Sequence, residues 1–212
     1  MGHSIAAEMR SGNTLSNPPL AAIGFRVKSG WAAWVLLTGP VQAPRILGMG
    51  RVELSDPSIP ESLQPYHAGT GALETDEANV SGRIQIVRRS TRESVTKLLQ
   101  NSRSNEYRIR NAALVVGSTV DPDSIANPHI RAHAFEGQLF RTVLQEALSA
   151  QGLRCSVVVE RRAFSEGAAM LALSEVELRR RLSNLGREQS GPWRSEQKMA
   201  ALVAWMALAE VA

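Results

Sequence analysis

The order of the predicted secondary-structure elements constrains the fold of this chain most. Three strands follow one another directly, over residues 21–29, 31–38 and 45–54. Their short connections suit antiparallel neighbours, because parallel strands need a long crossover. In the first strand, apolar residues alternate with others in the period-two pattern of a strand with one buried face; they are Ile23, Phe25 and Val27. The chain therefore begins with an antiparallel three-stranded unit.

Helices and strands alternate in the rest of the chain. A proline- and glycine-rich stretch, 55–71, precedes a long helix whose apolar residues recur at helical spacing: Ile84, Val87, Val95, Leu98 and Leu99. A short buried strand over 112–116 follows. The next helix opens with Asn127 as N-cap and Pro128 at the first helical position, a favoured pair because the amide that proline lacks has no partner there anyway. It runs to about Ala150.

A fifth strand over 155–160, a shorter helix over about 174–184 and a closing helix from about Ser195 complete the pattern. Two helical crossovers make the later strands parallel and predict right-handed connections. The sequence thus predicts an α/β fold in the order βββαβαβα, with helices on the faces of a five-stranded mixed sheet. We expect residues 1–20, which lack periodicity, to be a mobile N-terminal tail and 21–212 to form one domain.

The first hairpin carries a resemblance to a known family. The run Ala21-Ala22-Ile23-Gly24-Phe25-Arg26, followed by Gly30-Trp31-Ala32-Ala33, resembles the opening hairpin of the Holliday-junction-resolvase branch of the ribonuclease-H-like superfamily. In that branch a hydrophobic-glycine-hydrophobic-aspartate strand is followed by a glycine, an aromatic residue and small residues. The predicted element order is the ribonuclease-H-like topology as well. Arg26 stands in the place of the aspartate.

The resemblance implies two-metal phosphodiester hydrolysis, in which clustered carboxylates hold Mg²⁺ or another divalent metal ion. Arg26 and Lys28 lie on the same face of the predicted first strand. Such a cationic pair repels Mg²⁺ and cannot ligate it. The first hypothesis is therefore a degenerate two-metal site whose basic residues bind nucleic acid or another phosphate-bearing ligand.

A second hypothesis is an active metal-dependent nuclease with a rebuilt site. Stepping back along the inward stripe of the helix after Asn127 gives Glu136, His133 and His129, at the expected functional edge of the sheet. His129 and His133, at positions i and i+4, are candidate metal ligands together with Asp121. Glu136, His133 and Glu196 are the candidate catalytic residues, and Glu196 resembles the family's final acidic residue.

These residues also have ordinary structural explanations. His129 and His133 suit polar positions at a helix start or hydrogen bonding in a core. Asp121 and Asp123 flank Pro122 and suit a turn or cap. Glu196 in the first turn of a helix favourably meets the helix dipole. His67, on the long loop, either joins the histidines or anchors that loop through a hydrogen bond.

Basic residues are unevenly distributed in a chain of net charge +4. Residues 81–110 carry eight basic residues against two acidic ones. Arg88 and Arg92 are one helical turn apart, so they are candidate contacts to a phosphate backbone, although a solvated helix face has the same pattern. The cluster formed by Arg161, Arg162 and 179–181 has the same two interpretations.

Other features narrow the function classes further. The sequence has no phosphate-binding glycine loop, dinucleotide fingerprint, nucleophile elbow or paired-cysteine zinc pattern. A single cysteine, Cys155, cannot form an internal disulfide, which favours a cytoplasmic location. We expect DNA or RNA as partner and no membrane association, and the sequence leaves a homo-oligomer open. A third hypothesis, a non-catalytic interaction scaffold, stays beside the other two.

Overall fold

The first three strands form one half of a mixed five-stranded sheet. The structure is a computed structural model that describes residues 18–69, 71–102, 107–187 and 189–210, so most of the predicted N-terminal tail lies outside the described residues. The strands of the sheet are β1 (Leu20–Lys28), β2 (Trp31–Thr38), β3 (Arg45–Glu53), β6 (Arg108–Val116) and β7 (Arg154–Val159). Their order across the sheet is β3-β2-β1-β6-β7. β1, β2 and β3 pair antiparallel, whereas β1, β6 and β7 pair parallel.

Helices cover both faces of this sheet. One face packs against α1 (Glu77–Asn101) and α2 (Pro128–Ala150), and the other against α3 (Glu160–Met170), α4 (Glu175–Leu185) and α5 (Ser195–Ala209). A two-stranded hairpin, β4 (His67–Ala68) and β5 (Ala72–Leu73), precedes α1. The carboxyl ends of β1, β6 and β7 therefore meet at one edge of the sheet, beside the start of α2.

Gly24 allows the closing helix to pack directly against β1. A Cβ atom built at Gly24 would lie 2.0 Å from the carbonyl oxygen of Ala200 and 2.5 Å from the backbone nitrogen of Ala204. Only glycine fits such a close backbone approach. The helix α5 is buried almost all round, from Met199 to Leu208.

Several predicted element bounds were wrong, and the strand predicted for 112–116 begins four residues earlier, at Arg108. The strand predicted for 155–160 ends at Val159, and α3 begins at the next residue, although no helix was predicted there. Strand β4 lies inside the stretch 55–71 and β5 directly after it, although no strand was predicted at either place. β1 begins at Leu20, one residue inside the predicted tail.

The helix α3 was missed because its start follows a β-branched run and lacks a capping side chain. Its N-cap is Val159, the last residue of β7, and no side chain caps the first turn. Helix starts are recognised from a Ser, Thr, Asp or Asn at the N-cap, and a valine in a β-branched run predicts a strand instead. No helix among the described residues has the length and apolar character needed to cross a bilayer.

Candidate functional site

Arg26 lies near the carboxyl end of β1 and is almost fully buried, with 6% of its surface exposed. One guanidinium nitrogen donates to the carbonyl oxygen of Val27 at 3.0 Å and lies 3.5 Å from that of Val115 on β6. The other nitrogen pairs with the carboxylate of Glu160. A buried charge is costly unless it is paired and hydrogen-bonded, and these contacts supply both requirements.

Glu160 reaches Arg26 because it is the first residue of α3 and directly follows β7. The pair thus spans the ends of three neighbouring parallel strands, with Arg26 on one outer strand and Glu160 beyond the other. The guanidinium lies where the family resemblance implies a metal-binding aspartate. It forms an ion pair with the carboxylate of Glu160 at the same edge of the sheet. These residues do not fit a divalent ion at the end of β1, because one ligand is missing and a fixed cation replaces it.

A cavity of about 280 Å³ opens beside Arg26, and we call it the basic cleft. Its charged or titratable lining residues are Arg26 and Lys28 from β1, and His133 and Arg141 from α2; none of its lining residues is acidic. Among the described residues, Lys28 and Arg141 have no ion-pair partner within 4.0 Å. The cleft therefore presents positive charge to solvent.

Glu196 lies at the start of α5, within electrostatic reach of the basic cleft. Its pKa is lowered by a hydrogen bond from its own backbone amide, by the hydroxyl of Ser195, and by the positive charges of Lys28 and Arg26. The Ser195 hydroxyl donates to its carboxylate at 3.0 Å. Glu196 is thus an ionised carboxylate beside the two β1 cations.

Three histidines come together next to the cleft, and we call them the histidine group: His67, His129 and His133. One ring nitrogen from each lies within 4.8 Å of the corresponding atom in the other two. The ring centroids of His67 and His133 are 4.5 Å apart, and those of His129 and His133 are 4.6 Å apart. His133 also lines the basic cleft, so the two features share a boundary.

Glu136 lies behind two of these rings and is fully buried. Its Oε1 atom is 2.6 Å from Nδ1 of His67, and its Oε2 atom is 3.5 Å from Nδ1 of His133. Burial raises the pKa of Glu136, while the contacts with His67 and His133 oppose that rise. A carboxylate in this position orients imidazoles rather than contacting a substrate in the cleft.

The third imidazole is held by the β4–β5 hairpin. Nδ1 of His129 is 2.8 Å from the carbonyl oxygen of Gly71. Gly71 has a φ of +95°, and a Cβ atom there would lie 3.2 Å from Nδ1 of His129, so glycine permits both the turn and the close approach.

The loop that carries His67 is fixed to both long helices. Arg83 of α1 donates to the carbonyl oxygens of Pro65 and His67 at 3.2 and 3.0 Å. Tyr66 stacks on Phe135 of α2 with ring centroids 4.9 Å apart. These contacts hold His67 against the first turns of α2. The sequence alone had left two possible roles for His67.

Other predicted site residues lie elsewhere. Asp121 caps a 3₁₀ helix, Pro122–Ser124, by accepting from the amide of Asp123 at 3.1 Å, and it is outside the histidine group. Arg88 and Arg92 are exposed on α1 and line a separate cavity of about 210 Å³ against α2. The structure thus joins Arg26, Lys28 and His133 in one cleft, but not Arg88, Arg92 or Asp121.

The second predicted basic cluster is balanced by nearby acids. Arg180 and Arg181 both bind the carboxylate of Glu177, at 2.8 and 2.7 Å. This pairing holds the pKa of Glu177 at about 2. Arg179 contacts Glu175 and stacks over Phe164. The arrangement is the solvated helix face that the sequence left as one of two interpretations.

Sequence reasoning missed Glu160 and Arg141. Glu160 directly follows a strand whose carboxyl end lies at the same edge as that of β1, so its position after a valine run was a usable signal. Arg141 is two helical turns after Ala134, itself a cleft residue, and therefore lies on the same stripe of α2. That spacing was also available from the sequence.

No protein-family model matches the chain, and no curated protein shows significant similarity. Solved structures do match. The RuvC structure from Thermus thermophilus is 10% identical, covers 90% of this chain and 95% of its own, and has a TM-score of 0.54. T. thermophilus RuvC in complex with a Holliday junction substrate is 12% identical, covers 91% of this chain and 94% of its own, and has a TM-score of 0.53. Identities this low show the fold alone. The predicted ribonuclease-H-like fold is thereby confirmed.

Proposed function

We propose that this chain binds nucleic acid, or another ligand that carries phosphate groups, through the basic cleft and without a two-metal centre at the end of β1. The observation that carries this proposal is the buried pair of Arg26 and Glu160. A fixed guanidinium there excludes a divalent ion, yet it leaves the edge of the sheet basic. The T. thermophilus RuvC structure in complex with a Holliday junction substrate is consistent with a nucleic-acid ligand.

Lys28 and Arg141 are the residues expected to contact phosphate. Both are partly exposed, and Arg26 beside them is already paired with Glu160. At about 280 Å³ the cleft is just below the usual size of a small-molecule site. It therefore suits one phosphate group of a larger ligand better than a complete cofactor. The exposed Arg88 and Arg92 would extend the contact of a polymer along α1.

Fluorescence anisotropy with branched DNA, single-stranded DNA and RNA tests the proposal. We expect binding that weakens as salt is raised, because each neutralised phosphate releases counterions. Lys28→Gln combined with Arg141→Gln should weaken binding at least tenfold and lower the salt slope by about two phosphate contacts. Arg180→Gln combined with Arg181→Gln removes the same charge from a balanced site and should leave affinity nearly unchanged.

The competing interpretation is a non-catalytic interaction scaffold. If salt-sensitive binding is absent with all three of these ligands, the result would favour the scaffold and contradict a nucleic-acid ligand. An equal loss of affinity in the cleft variant and in the control variant would show only a general dependence on net charge, and it too would contradict an assignment to the cleft.

A second candidate function is metal-dependent phosphodiester hydrolysis at a displaced site. It is supported by the position of His133, which borders both the basic cleft and the histidine group. In this alternative His133 and His129 hold a divalent ion, Glu136 orients the site, and Glu196 supplies a further carboxylate. Cleavage assays with Mg²⁺, Mn²⁺ and Zn²⁺ test it. Cleavage that Glu136→Ala abolishes would support this candidate, whereas binding without cleavage would support the first.

A further inference from the structure

We infer that His67, His129 and His133 bind one transition-metal ion of the Zn²⁺ class through their Nε2 atoms, with Glu136 as a positioning residue behind them. The inference differs from the ligand set expected from the sequence, because His67 replaces Asp121. It also does not depend on whether the chain binds or cleaves nucleic acid.

The Nδ1 atoms of all three imidazoles face oxygen acceptors. Those of His67 and His133 face the two carboxylate oxygens of Glu136 at 2.6 and 3.5 Å, and that of His129 faces the carbonyl oxygen of Gly71 at 2.8 Å. A carboxylate and a carbonyl only accept hydrogen bonds, so in neutral His67 and His129 the proton is on Nδ1. The Nε2 atom of each of these two rings then carries a lone pair, which is the form that ligates a metal. The 3.5 Å contact of His133 is not a hydrogen bond, and Oε2 of Glu136 is buried without a hydrogen-bond partner among the described residues.

His67 supplies an independent indication of a ligand. Its side chain is 6% exposed, and its Nε2 atom is buried without a hydrogen-bond partner in the described part of the chain. Buried polar atoms nearly always have a hydrogen-bond partner, so an exception indicates a bound ion or another functional role. A metal ion bound by this nitrogen would satisfy it. No neighbouring side chain among the described residues does so.

The distances fit a site that closes on binding. Tetrahedral Zn²⁺ with bonds of about 2.0–2.1 Å places its ligand atoms roughly 3.3 Å apart. The three ring nitrogens lie within 4.8 Å of one another. His129 and His133 are exposed, so we expect their side chains to adjust when a metal ion binds, whereas the His67 ring is held by Glu136.

The donor set decides the class of metal. Imidazole nitrogens suit Zn²⁺, Co²⁺ and Ni²⁺, whereas Mg²⁺ demands oxygen ligands. The inferred ion is therefore not the Mg²⁺ that the family resemblance implied. Three protein ligands leave the fourth tetrahedral position to solvent or to a bound ligand, as in sites with an open position.

Cobalt spectroscopy and calorimetry on the full chain test this inference. We expect one Co²⁺ per chain with the visible absorption bands of a tetrahedral site, and displacement of Co²⁺ by Zn²⁺. His129→Gln and His133→Gln should each weaken Zn²⁺ binding at least 100-fold. Both residues are exposed, so both variants should fold. Glu136→Gln should weaken binding 10- to 100-fold, the usual effect of losing a carboxylate that orients a metal-bound histidine.

His3→Gln is the matched control, because His3 is the only other histidine in the chain. It should leave metal affinity and the cobalt spectrum unchanged. Metal binding that disappears in His3→Gln, or that persists in His133→Gln, would overturn the assignment, as would the absence of stoichiometric binding. Thermal unfolding of each variant without metal identifies any variant that has lost its fold. If His133→Gln does not fold, the metal affinity of His129→Gln decides whether the assignment holds.

Discussion

The guanidinium of Arg26 on β1 is paired with the carboxylate of Glu160 at the start of α3, across the ends of three parallel strands. The two partners are not equivalent, because the Arg26 side chain is 7% exposed and that of Glu160 is 44% exposed. Removing the Glu160 carboxylate leaves a buried cation without a partner, whereas removing Arg26 leaves a carboxylate that water can solvate. Because of this asymmetry, substitutions of the two residues should lower stability by different amounts.

We expect Glu160→Gln to lower the free energy of unfolding by about 1–3 kcal/mol, because a buried charged donor loses its ionised acceptor. Arg26→Met, which keeps much of the side-chain volume, should cost less. Urea denaturation of both variants gives the comparison. A larger loss for Arg26→Met than for Glu160→Gln would contradict the view that the buried cation depends on Glu160.

Gly24 provides a prediction about packing. Gly24→Ala should lower the free energy of unfolding by about 1–3 kcal/mol or more, because the added methyl group meets the backbone of α5 at Ala200. Gly82→Ala is the control, since a Cβ at this helical position meets no atom within 4 Å. It should raise the free energy of unfolding by about 0.5–1 kcal/mol through helix propensity. Equal effects in denaturant titrations would contradict the close approach.

The fold was predictable because its signals are local. Alternation in β1, the turn at Gly30, and the Asn127 cap with Pro128 each specify an element from a few neighbouring residues. Gly30 indeed has a φ of +77°, and the Asn127 side chain accepts from the amides of His129 and Ile130. Few sheet topologies are compatible with this order of elements, because crossovers between parallel strands are right-handed and connections are short.

The site was only partly predictable because its contacts are distant in sequence. The absence of an aspartate at position 26 was visible, but its partner Glu160 is 134 residues away and begins a helix that has no sequence signal. Helical spacing placed His133 and Glu136 on one stripe. It did not show that Glu136 contacts His67, 69 residues away in the short strand β4, because that contact depends on tertiary packing.

Cys155 gives a prediction about pH. Burial, followed by the charge of Glu210, raises the pKa of its thiol to about 12. We therefore expect very slow alkylation of the native protein at pH 8, where roughly one thiol in ten thousand is ionised, and fast alkylation once urea unfolds the chain. Iodoacetamide labelling followed by mass spectrometry measures both rates.

The same shift in pKa affects stability. In the unfolded chain the Cys155 thiol ionises near its ordinary pKa, whereas in the native protein it stays protonated to a higher pH. The contribution of Cys155 to stability is therefore fully present below the ordinary thiol pKa. Stability from this residue should fall as pH rises from the ordinary thiol pKa to about 12. Cys155→Ala should make the free energy of unfolding less dependent on pH in that range. An unchanged dependence would show that Cys155 does not titrate differently in the two states.

Reversing the charge at position 26 tests whether Arg26 keeps a divalent ion from binding at the end of β1. Arg26→Asp would place a carboxylate beside Glu160 and within electrostatic reach of Glu196, at the edge where the family resemblance implies metal-binding acids. We expect this variant to be less stable than the wild type in EDTA, because like charges repel, and to regain stability when Mg²⁺ is added. Arg26→Asn is the control and should not respond to Mg²⁺, nor should the wild type. Differential scanning fluorimetry measures the three responses, and a Mg²⁺ response in all three would contradict a specific site at this edge.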